Sequence, residues 1–291
     1  MTWRQTLFGK RHVAERGMVS EIDQTFGSLA EWLAWAKDNP ALFDKVARDA
    51  VGRRILANGL IEPITGRIAK AGEVRDLDGN WREGLAFDGI SSRVRAVMRA
   101  METTVDLSDV GNLRIYATEA LTTFALRMRG VFPKYHGSEY TDDPAKRAQL
   151  YPIDFQDLEA LTLQSDSFDI VSTNEVLEHV PSIDASLREI CRVLKPGGWH
   201  IGTVPFAFMN EESVIRARLV DGKVEHLMEP EYHGNPMSDQ GSLVFEIPGW
   251  EIVRRCREAG FSQAGMRFIA SERHGCLAQH VSGVFVLCAR K

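Results

Sequence analysis

The sequence has few cysteines, and none of them form closely spaced pairs. The four lie far apart along the chain, at Cys191, Cys256, Cys276 and Cys288. Zinc sites and disulfide frameworks use cysteines at short, regular spacings. We therefore expect reduced, buried thiols, which are typical of a cytoplasmic protein, and no metal site.

Long runs of one residue class are also missing. No apolar stretch approaches the roughly 20 residues that a membrane-spanning helix needs. Residues 1–20 carry basic side chains but no continuous apolar segment, so they do not have the pattern of a secretory signal. The net charge is −5 and both signs are interspersed without a long basic run. These absences argue against a membrane protein and against a nucleic-acid partner.

The most informative stretch that is present covers residues 166–206. Phe168–Ser172 is a short apolar run typical of a buried parallel strand. Asp184–Leu194 places its apolar residues on one helical face. Lys195–Gly198 contains a proline and two glycines that end this helix, and Trp199–Val204 is apolar again. The order of strand, polar loop, helix and strand predicts a right-handed βαβ unit.

Polar side chains follow the first strand of this unit. Asn174, Glu175, Glu178 and His179 come after Ser172. Open α/β sheets bind ligands beyond the carboxyl ends of their strands. The sequence therefore predicts a ligand site at this edge of the sheet.

Two blocks of this stretch carry a family resemblance. Residues 168–171 read Phe-Asp-Ile-Val, residues 176–181 read Val-Leu-Glu-His-Val-Pro, and residues 187–198 end in Val-Leu-Lys-Pro-Gly-Gly. Together they resemble the class I S-adenosylmethionine-dependent methyltransferases, in particular the small-molecule (type 11) branch. The resemblance covers about residues 112–291. It implies a Rossmann-like α/β fold with a seven-stranded mixed sheet and an antiparallel final hairpin.

The same resemblance implies an enzyme that uses S-adenosyl-L-methionine and methylates a small-molecule or sugar-like acceptor. The first strand is expected at residues 113–118. In the family the turn after it is rich in glycine, whereas this chain has Ala117, Thr118 and Glu119. Glu119 has two interpretations that the sequence leaves open. It accepts a hydrogen bond from the cofactor's ammonium group, or it caps the next helix.

Further cofactor contacts follow from the resemblance. Glu139, at the end of the second strand, corresponds to the acidic residue that accepts from the ribose hydroxyls. Tyr140 is expected against the adenine. Asp157 and Leu158 match the loop that meets the adenine amine and ring nitrogen. At the end of the fourth strand the expected cofactor residues are Asn174 and Glu175.

The acceptor is expected to contact an insertion at residues 206–248, in which residues 211–220 have a charged, helical pattern. Phe206 and Tyr232 are candidate substrate contacts. His233 is a candidate general base in a proline-bounded loop. His179 is a second catalytic candidate, although in this branch a histidine at that position often shapes the cofactor pocket.

The remaining N-terminal part, residues 1–105, is predicted to be a mainly helical accessory or lid region with a short hairpin, and residues 106–291 the methyltransferase domain. Residues 20–49 have a helical pattern whose tryptophans pack in a core or line a lid or dimer face, so a homodimer is left open. Residues 81–93 weakly resemble a zinc-knuckle stretch of some relatives but contain no cysteine. No zinc is expected there.

Two alternatives from other classes stay open. A methyltransferase fold that no longer holds its cofactor would serve as a binding or scaffold subunit, which the non-glycine turn favours and Glu139 and Asp157 oppose. A nicotinamide-dependent oxidoreductase would need a Gly-x-Gly-x-x-Gly motif, which the sequence lacks. Fold alone does not separate these functions.

Overall fold

The computed structural model describes residues 21–235 and 238–291, so the expectation for residues 1–20 lies outside the described residues. Seven α-helices occur within these ranges: α1 (Leu29–Lys37), α2 (Lys45–Asn58), α3 (Ser92–Thr104), α4 (Thr123–Val131), α5 (Pro144–Gln149), α6 (Ile183–Val193) and α7 (Glu251–Glu258). Short 3₁₀ helices cover Pro40–Phe43, Leu107–Asp109 and Leu177–His179. None of the described helices combines the length and apolar character that crossing a bilayer requires.

The strands of the N-terminal part are short: β1 (Ile22–Phe26), β2 (Leu60–Ile61), β3 (Ile68–Ala69), β4 (Arg75–Asp76), β5 (Leu85–Phe87) and β6 (Ile90–Ser91). The following strands are β7 (Arg114–Ala117), β8 (Lys134–Glu139), β9 (Asp154–Phe155), β10 (Phe168–Ser172) and β11 (Leu194–Gly202). The C-terminal strands are β12 (Val214–Ile215), β13 (Ala217–Val220), β14 (Lys223–His226), β15 (Tyr232–Asn235), β16 (Ser238–Leu243), β17 (Glu246–Ile247), β18 (Gln263–Ala270) and β19 (Val284–Arg290).

The central sheet has the order β1-β18-β19-β11-β10-β7-β8-β9. The pairs from β11 to β9 are parallel, and β19 runs antiparallel to β11. The predicted Rossmann-like mixed sheet is confirmed, but it has eight strands rather than seven. The additional strand is β1, which lies within the stretch predicted to be helical. Three of its five residues are exposed, so this edge strand lacks the apolar alternation that would reveal it.

The chain divides into two compact units. One contains Asp38–Asp106 and Phe268–Val284 together with the segment that ends at Gln24. The other contains Thr25–Lys37, Leu107–Arg267 and Phe285–Lys291. The division of the chain into an accessory region at 1–105 and a methyltransferase domain at 106–291 stays a prediction.

The first unit has a small apolar core that surrounds a buried arginine. The core residues are Ile55, Leu60, Ala69, Val74, Trp81, Leu85, Phe87 and Leu277. Arg95 is fully buried and donates to the carbonyl oxygens of Leu85, Ile90, His274 and Gly275. Because these carbonyls satisfy its donors, the guanidinium stabilises the loops that surround it.

The second unit contains the predicted βαβ unit, whose strands β10 and β11 flank α6. Ser182 caps α6 by accepting from the backbone N–H of Ala185, and Gly197 adopts a φ of 81° just beyond the helix. Trp32 of α1 is buried against Phe208 and Phe285. For Trp32 the core-packing interpretation is therefore correct.

The insertion differs from its prediction. The charged stretch at residues 211–220 is not a helix but contributes the strands β12 and β13. β13 and β14 form a hairpin whose turn residues, Asp221 and Gly222, have φ angles of 49° and 73°. An Asp-Gly pair with two positive φ angles is the preferred type I′ hairpin turn. This turn favours a hairpin, so the predicted helix is wrong and the turn outweighs the charged, helical pattern.

We expect the stability of the protein to depend on pH because of His200 on β11. Its ring is fully buried, and burial lowers its pKa from 6.5 to about 4. The unfolded chain therefore takes up a proton that the folded protein excludes. The stability from the neutral ring is fully present above pH 6.5 and is lost as pH falls toward the folded pKa, by up to about 3 kcal/mol.

The measurement is urea unfolding at neutral and acidic pH for the wild type and for His200→Gln, which keeps a donor for the 2.9 Å contact with Thr173 Oγ1. We expect His200→Gln to lose about 3 kcal/mol less than the wild type on acidification. His226→Gln, at an exposed position on β14, is the control and should behave as the wild type. An unchanged acid response in His200→Gln would show that this ring is not the cause.

Candidate cofactor and acceptor site

The carboxyl ends of three central strands lie level with one another. Ala117 of β7 pairs with Ser172 of β10 on one side and with Gly137 of β8 on the other. The residues that follow these positions therefore emerge at the same edge of the sheet. The structure thus brings Thr118, Glu139 and Asn174 to the edge where the sequence predicts the ligand site.

Glu119 lies in the turn after β7 and contacts Asn174 directly. Its Oε1 accepts from Asn174 Nδ2 at 2.6 Å, and its Oε2 accepts from the Thr122 hydroxyl. The cap of α4 is Thr122, whose Oγ1 accepts from Ala125 N at 3.1 Å. The capping interpretation of Glu119 is therefore wrong, because the neighbouring threonine performs that role. Its contact with the cofactor ammonium group stays a prediction.

The turn after β7 has no glycine, but it packs closely against a glycine of the neighbouring strand, Gly137 of β8. A Cβ atom on Gly137 would lie 2.5 Å from Glu119 O and 3.1 Å from Ala120 Cα. The turn therefore rests directly on β8. Tyr135 donates its hydroxyl to Glu119 O at 2.8 Å, and Arg129 donates to Ala120 O at 2.9 Å. Sequence reasoning missed Gly137, because this contact joins residues that are distant in the chain.

The carboxylate of Glu139 binds the backbone amides of the same turn. Its Oε1 accepts from Ala120 N at 2.8 Å and from Leu121 N at 3.0 Å. The side chain is almost fully buried at the end of β8. Two backbone hydrogen bonds to one carboxylate oxygen fix the turn and the side chain together. The ribose contact that the resemblance implies for Glu139 stays a prediction.

The residues expected near the adenine lie beside β8 and β9. Tyr140 is 51% exposed and stacks on Phe155, with ring centroids 5.6 Å apart. Asp157 Oδ1 accepts from Glu159 N at 2.9 Å, which orders the loop after β9. Leu158 is buried in that loop. This arrangement provides an aromatic face, a carboxylate and an apolar side chain, which suit the recognition of a base.

Two buried polar atoms at this edge have no hydrogen-bond partner in the described part of the chain: Thr118 Oγ1 and Asn174 Oδ1. Buried polar groups are normally satisfied, so these atoms point to a ligand. A hydroxyl can donate to a carboxylate and an amide oxygen can accept from an ammonium group. The amino-acid end of S-adenosylmethionine carries both groups. The residues present therefore fit the cofactor that the family resemblance implies.

Glu175 lies next to Asn174 in a conformation that is uncommon for a residue with a side chain. Its φ is 53°, and its N–H donates to Thr203 O at 2.8 Å. Asn174 forms a parallel bridge with Thr203 of the neighbouring segment. A left-handed residue of this kind is frequent at functional sites, because the surrounding structure must maintain it.

The two predicted substrate contacts occupy different surroundings. Phe206 packs edge-on against Trp250 and Phe285, with centroid distances of 5.2 Å to each ring. Tyr232 on β15 is 54% exposed. Phe206 therefore contributes to an aromatic core, and Tyr232 is the more accessible of the two.

The two candidate catalytic histidines, His179 and His233, meet although they are distant in the chain. Their ring centroids are 5.2 Å apart in an edge-on arrangement. The Glu178 carboxylate, and with it that of Glu231, raises the pKa of His233 to about 8, while burial opposes the shift. Sequence analysis placed Glu178 at this edge but gave it no role. One ligand atom from each of Glu178, His179 and His233 lies within 4.8 Å of the others, a grouping that the cysteine pattern could not indicate.

A cavity of about 440 Å³ lies elsewhere, at the amino ends of the central strands. Its lining residues are Arg114, Lys134, Tyr135, His136, Leu163, Gln164, Ser167 and Phe168. Ligands of open α/β sheets bind at the opposite, carboxyl edge. We therefore place the cofactor site at the carboxyl edge and assign no role to this cavity.

Comparison with known proteins gives one family match and several distant similarities. Residues 109–202 match the methyltransferase domain family. A ubiquinone biosynthesis O-methyltransferase from Bordetella avium (strain 197N) is 29% identical over 119 residues, which is 38% of this chain and 41% of that protein. The match thus spans less than half of this relative.

Solved structures are similar at low identity. An S-adenosylmethionine-dependent methyltransferase from Mesorhizobium loti is 14% identical, with a TM-score of 0.45 over 69% of this chain and 98% of that chain. A phosphoethanolamine N-methyltransferase from Haemonchus contortus is 13% identical, with a TM-score of 0.37 over 60% of this chain and 38% of that chain. The family match covers β7 to β11, the strands that form the described edge. Residues 109–202 are therefore similar to the methyltransferase domain family that the sequence predicts.

Proposed function

We propose that this protein transfers a methyl group from S-adenosylmethionine to a small-molecule acceptor. The observation that carries the proposal is the pair of buried, unpartnered atoms Thr118 Oγ1 and Asn174 Oδ1 at the carboxyl edge of the sheet. Both atoms belong to segments that the family match covers. A ligand with one carboxylate and one ammonium group would satisfy both.

The cofactor residues divide between the two ends of that ligand. Thr118, Glu119 and Asn174 would hold its amino-acid part. Glu139, Tyr140, Asp157 and Leu158 would hold its adenosine, the carboxylate of Glu139 accepting from the ribose hydroxyls. Ala117 and Glu175 would contribute backbone at the ends of β7 and β10. When bound, the cofactor supplies an electrophilic methyl group on a sulfonium.

The protein's own contribution is mainly positioning. Methyl transfer is an in-line displacement, so holding the acceptor atom behind the methyl carbon accounts for much of the acceleration. A hydroxyl acceptor must also lose its proton. His179 and His233 are the proposed groups on the acceptor side, and Tyr232 and Phe206 the proposed apolar contacts. Hydroxyl acceptors are tested first, because one relative is an O-methyltransferase.

The test is transfer of a tritiated methyl group from S-adenosylmethionine to panels of phenols, sugars and amines. We expect label in one acceptor class. Asp157→Ala should lower kcat/KM by about 10- to 100-fold, since a hydrogen bond to a charged group contributes roughly 1.5–3 kcal/mol. Lys223→Ala, at an exposed position on β14, is the control and should retain full activity.

The second candidate is a catalytically silent scaffold subunit. One observation favours it: Glu139 Oε1 already accepts two backbone amides, which leaves less of that carboxylate for a ribose. A folded protein that binds no S-adenosylmethionine and transfers no label would support the scaffold. Cytoplasmic location and a homodimer belong to the proposal as well, and size-exclusion chromatography with light scattering tests the latter.

A further inference from the structure

Glu178 is a buried carboxylate that faces the rings of His179 and His233. It lies in the 3₁₀ helix Leu177–His179, and its side chain is 0% exposed. Neither Oε1 nor Oε2 has a hydrogen-bond partner among the described residues. An ionised carboxylate in such surroundings is strongly destabilised unless a positive charge accompanies it. A cation beside this carboxylate would therefore stabilise it.

The ring of His179 presents a lone pair to this carboxylate. His179 Nδ1 lies 2.8 Å from Leu243 O, and because a carbonyl oxygen only accepts, Nδ1 carries the hydrogen. In the neutral ring Nε2 is then unprotonated. This nitrogen lies 3.4 Å from Glu178 Oε1. Two acceptors thus face each other across a buried space.

His233, in the insertion, also places one ring nitrogen near an acceptor and the other near Glu178. Its Nε2 lies 3.1 Å from Glu231 Oε1, a carboxylate that accepts, so Nε2 carries the hydrogen in the neutral ring. When a bound metal displaces the proton of the ring, Nδ1 has the lone pair, and it lies 3.6 Å from Glu178 Oε1. Glu231 is itself held by Arg216 at 3.1 Å. Each imidazole is therefore oriented from its far nitrogen, as in sites where a second acceptor fixes a metal-binding histidine.

The two distances from the Glu178 carboxylate to the imidazole nitrogens fit a metal ion between these groups. With metal–ligand bonds of about 2.1 Å, the ligand atoms of a tetrahedral site lie about 3.4 Å apart. The carboxylate oxygen is 3.4 Å and 3.6 Å from the two ring nitrogens. We propose that Glu178, His179 and His233 form a binding site for a divalent transition-metal ion.

Two imidazole nitrogens and one carboxylate oxygen favour zinc, iron(II) or manganese over magnesium or calcium, which prefer oxygen ligands only. Three protein ligands leave at least one coordination position open, as in catalytic rather than structural zinc sites. An acceptor with a hydroxyl or phenolic oxygen would suit that position. This choice of acceptor rests on the proposed methyltransferase function, whereas the metal site itself does not.

The test measures metal alone, without S-adenosylmethionine or acceptor. Purified full-length protein is treated with a chelator, exchanged into metal-free buffer and titrated with zinc chloride by calorimetry. Cobalt(II) is then added to a second sample, and its visible absorption reports a low-symmetry nitrogen and oxygen site. We expect one saturable equivalent of each metal.

Variants assign the site. Glu178→Gln and His233→Gln should each weaken zinc binding by at least about 100-fold, and Glu231→Gln, which changes only the group that orients His233, by about 10-fold. His226→Gln removes an exposed histidine and should bind as the wild type. Thermal unfolding tests whether each variant is folded. If Glu178→Gln does not fold, the zinc affinity of His233→Gln is used to assign the site.

Either of two results overturns the proposal. One is the absence of saturable zinc and cobalt binding. The other is unchanged affinity in folded Glu178→Gln and His233→Gln. Metal binding without methyl transfer would contradict only the proposed function. Cofactor binding without metal binding would sink only this inference.

Discussion

Replacing Gly137 with alanine is expected to weaken S-adenosylmethionine binding by at least about 100-fold, equivalent to roughly 2.7 kcal/mol. The new Cβ would lie 2.5 Å from Glu119 O and 3.1 Å from Ala120 Cα, both backbone atoms of the turn after β7. The turn would have to move away from β8. Glu119 and its hydrogen-bonded partner Asn174 would move with it, and both are proposed cofactor contacts.

The turn cannot relax without loss, because it is held on both sides. Tyr135 and Arg129 bind its carbonyl oxygens, and Glu139 binds its amides. We therefore also expect Gly137→Ala to lower the free energy of unfolding by about 1–3 kcal/mol, the range for overpacked cores.

The matched control is Gly130→Ala in α4, where a Cβ would meet nothing within 4 Å. Gly130 lies in the last turn of α4, where the gain from alanine is at most about 0.5–1 kcal/mol, so this variant should be at least as stable as the wild type and bind as it does. Calorimetric titration and urea unfolding of both variants make the comparison. Cofactor binding by Gly137→Ala within about threefold of the wild type, which is under 1 kcal/mol, would contradict the role given to this contact.

Glu139 is expected to show the second large effect. Glu139→Ala removes the acceptor of two backbone amides, Ala120 N, which is buried, and Leu121 N, which is partly buried, and leaves both without that partner. Each unsatisfied donor is destabilising by about 1–3 kcal/mol. We expect lower stability and a loss of S-adenosylmethionine affinity of about 1000-fold, because the ribose contact would disappear with the turn.

Glu139→Gln separates the two roles of this residue. Its amide oxygen can still accept from the turn, so stability should stay within about 1 kcal/mol of the wild type, whereas removal of the negative charge should weaken cofactor binding about tenfold. Urea unfolding and calorimetric titration with S-adenosylhomocysteine measure both quantities. Equal affinities of Glu139→Gln and the wild type would show that Glu139 only supports the turn.

Local patterns explain which parts of the fold the sequence could predict. The unit from β10 to β11 was found because each of its signals lies within a few residues: the apolar run at Phe168–Ser172, the amphipathic α6 and the Pro-Gly-Gly stop. The first strand β1 and the hairpins of the insertion were missed. Edge strands and exposed hairpins bury little apolar surface, so their composition resembles that of a charged helix or loop.

The site was predictable only where it follows the strand order. The positions after β7, β8 and β10 were expected at one edge, and Glu119, Glu139 and Asn174 are indeed there. The contact of Gly137 with the turn and the meeting of His179 with His233 were not predicted. Both join residues on different elements, and a single sequence has no local signal for such pairs.

We propose that the non-glycine turn, which rests on Gly137 and is held by Glu139, forms an S-adenosylmethionine site. The most direct measurement is calorimetric titration of the folded wild-type protein with S-adenosylmethionine and S-adenosylhomocysteine. We expect one site per chain with micromolar affinity for both ligands. The absence of heat at millimolar ligand, with protein shown to be folded, would contradict it.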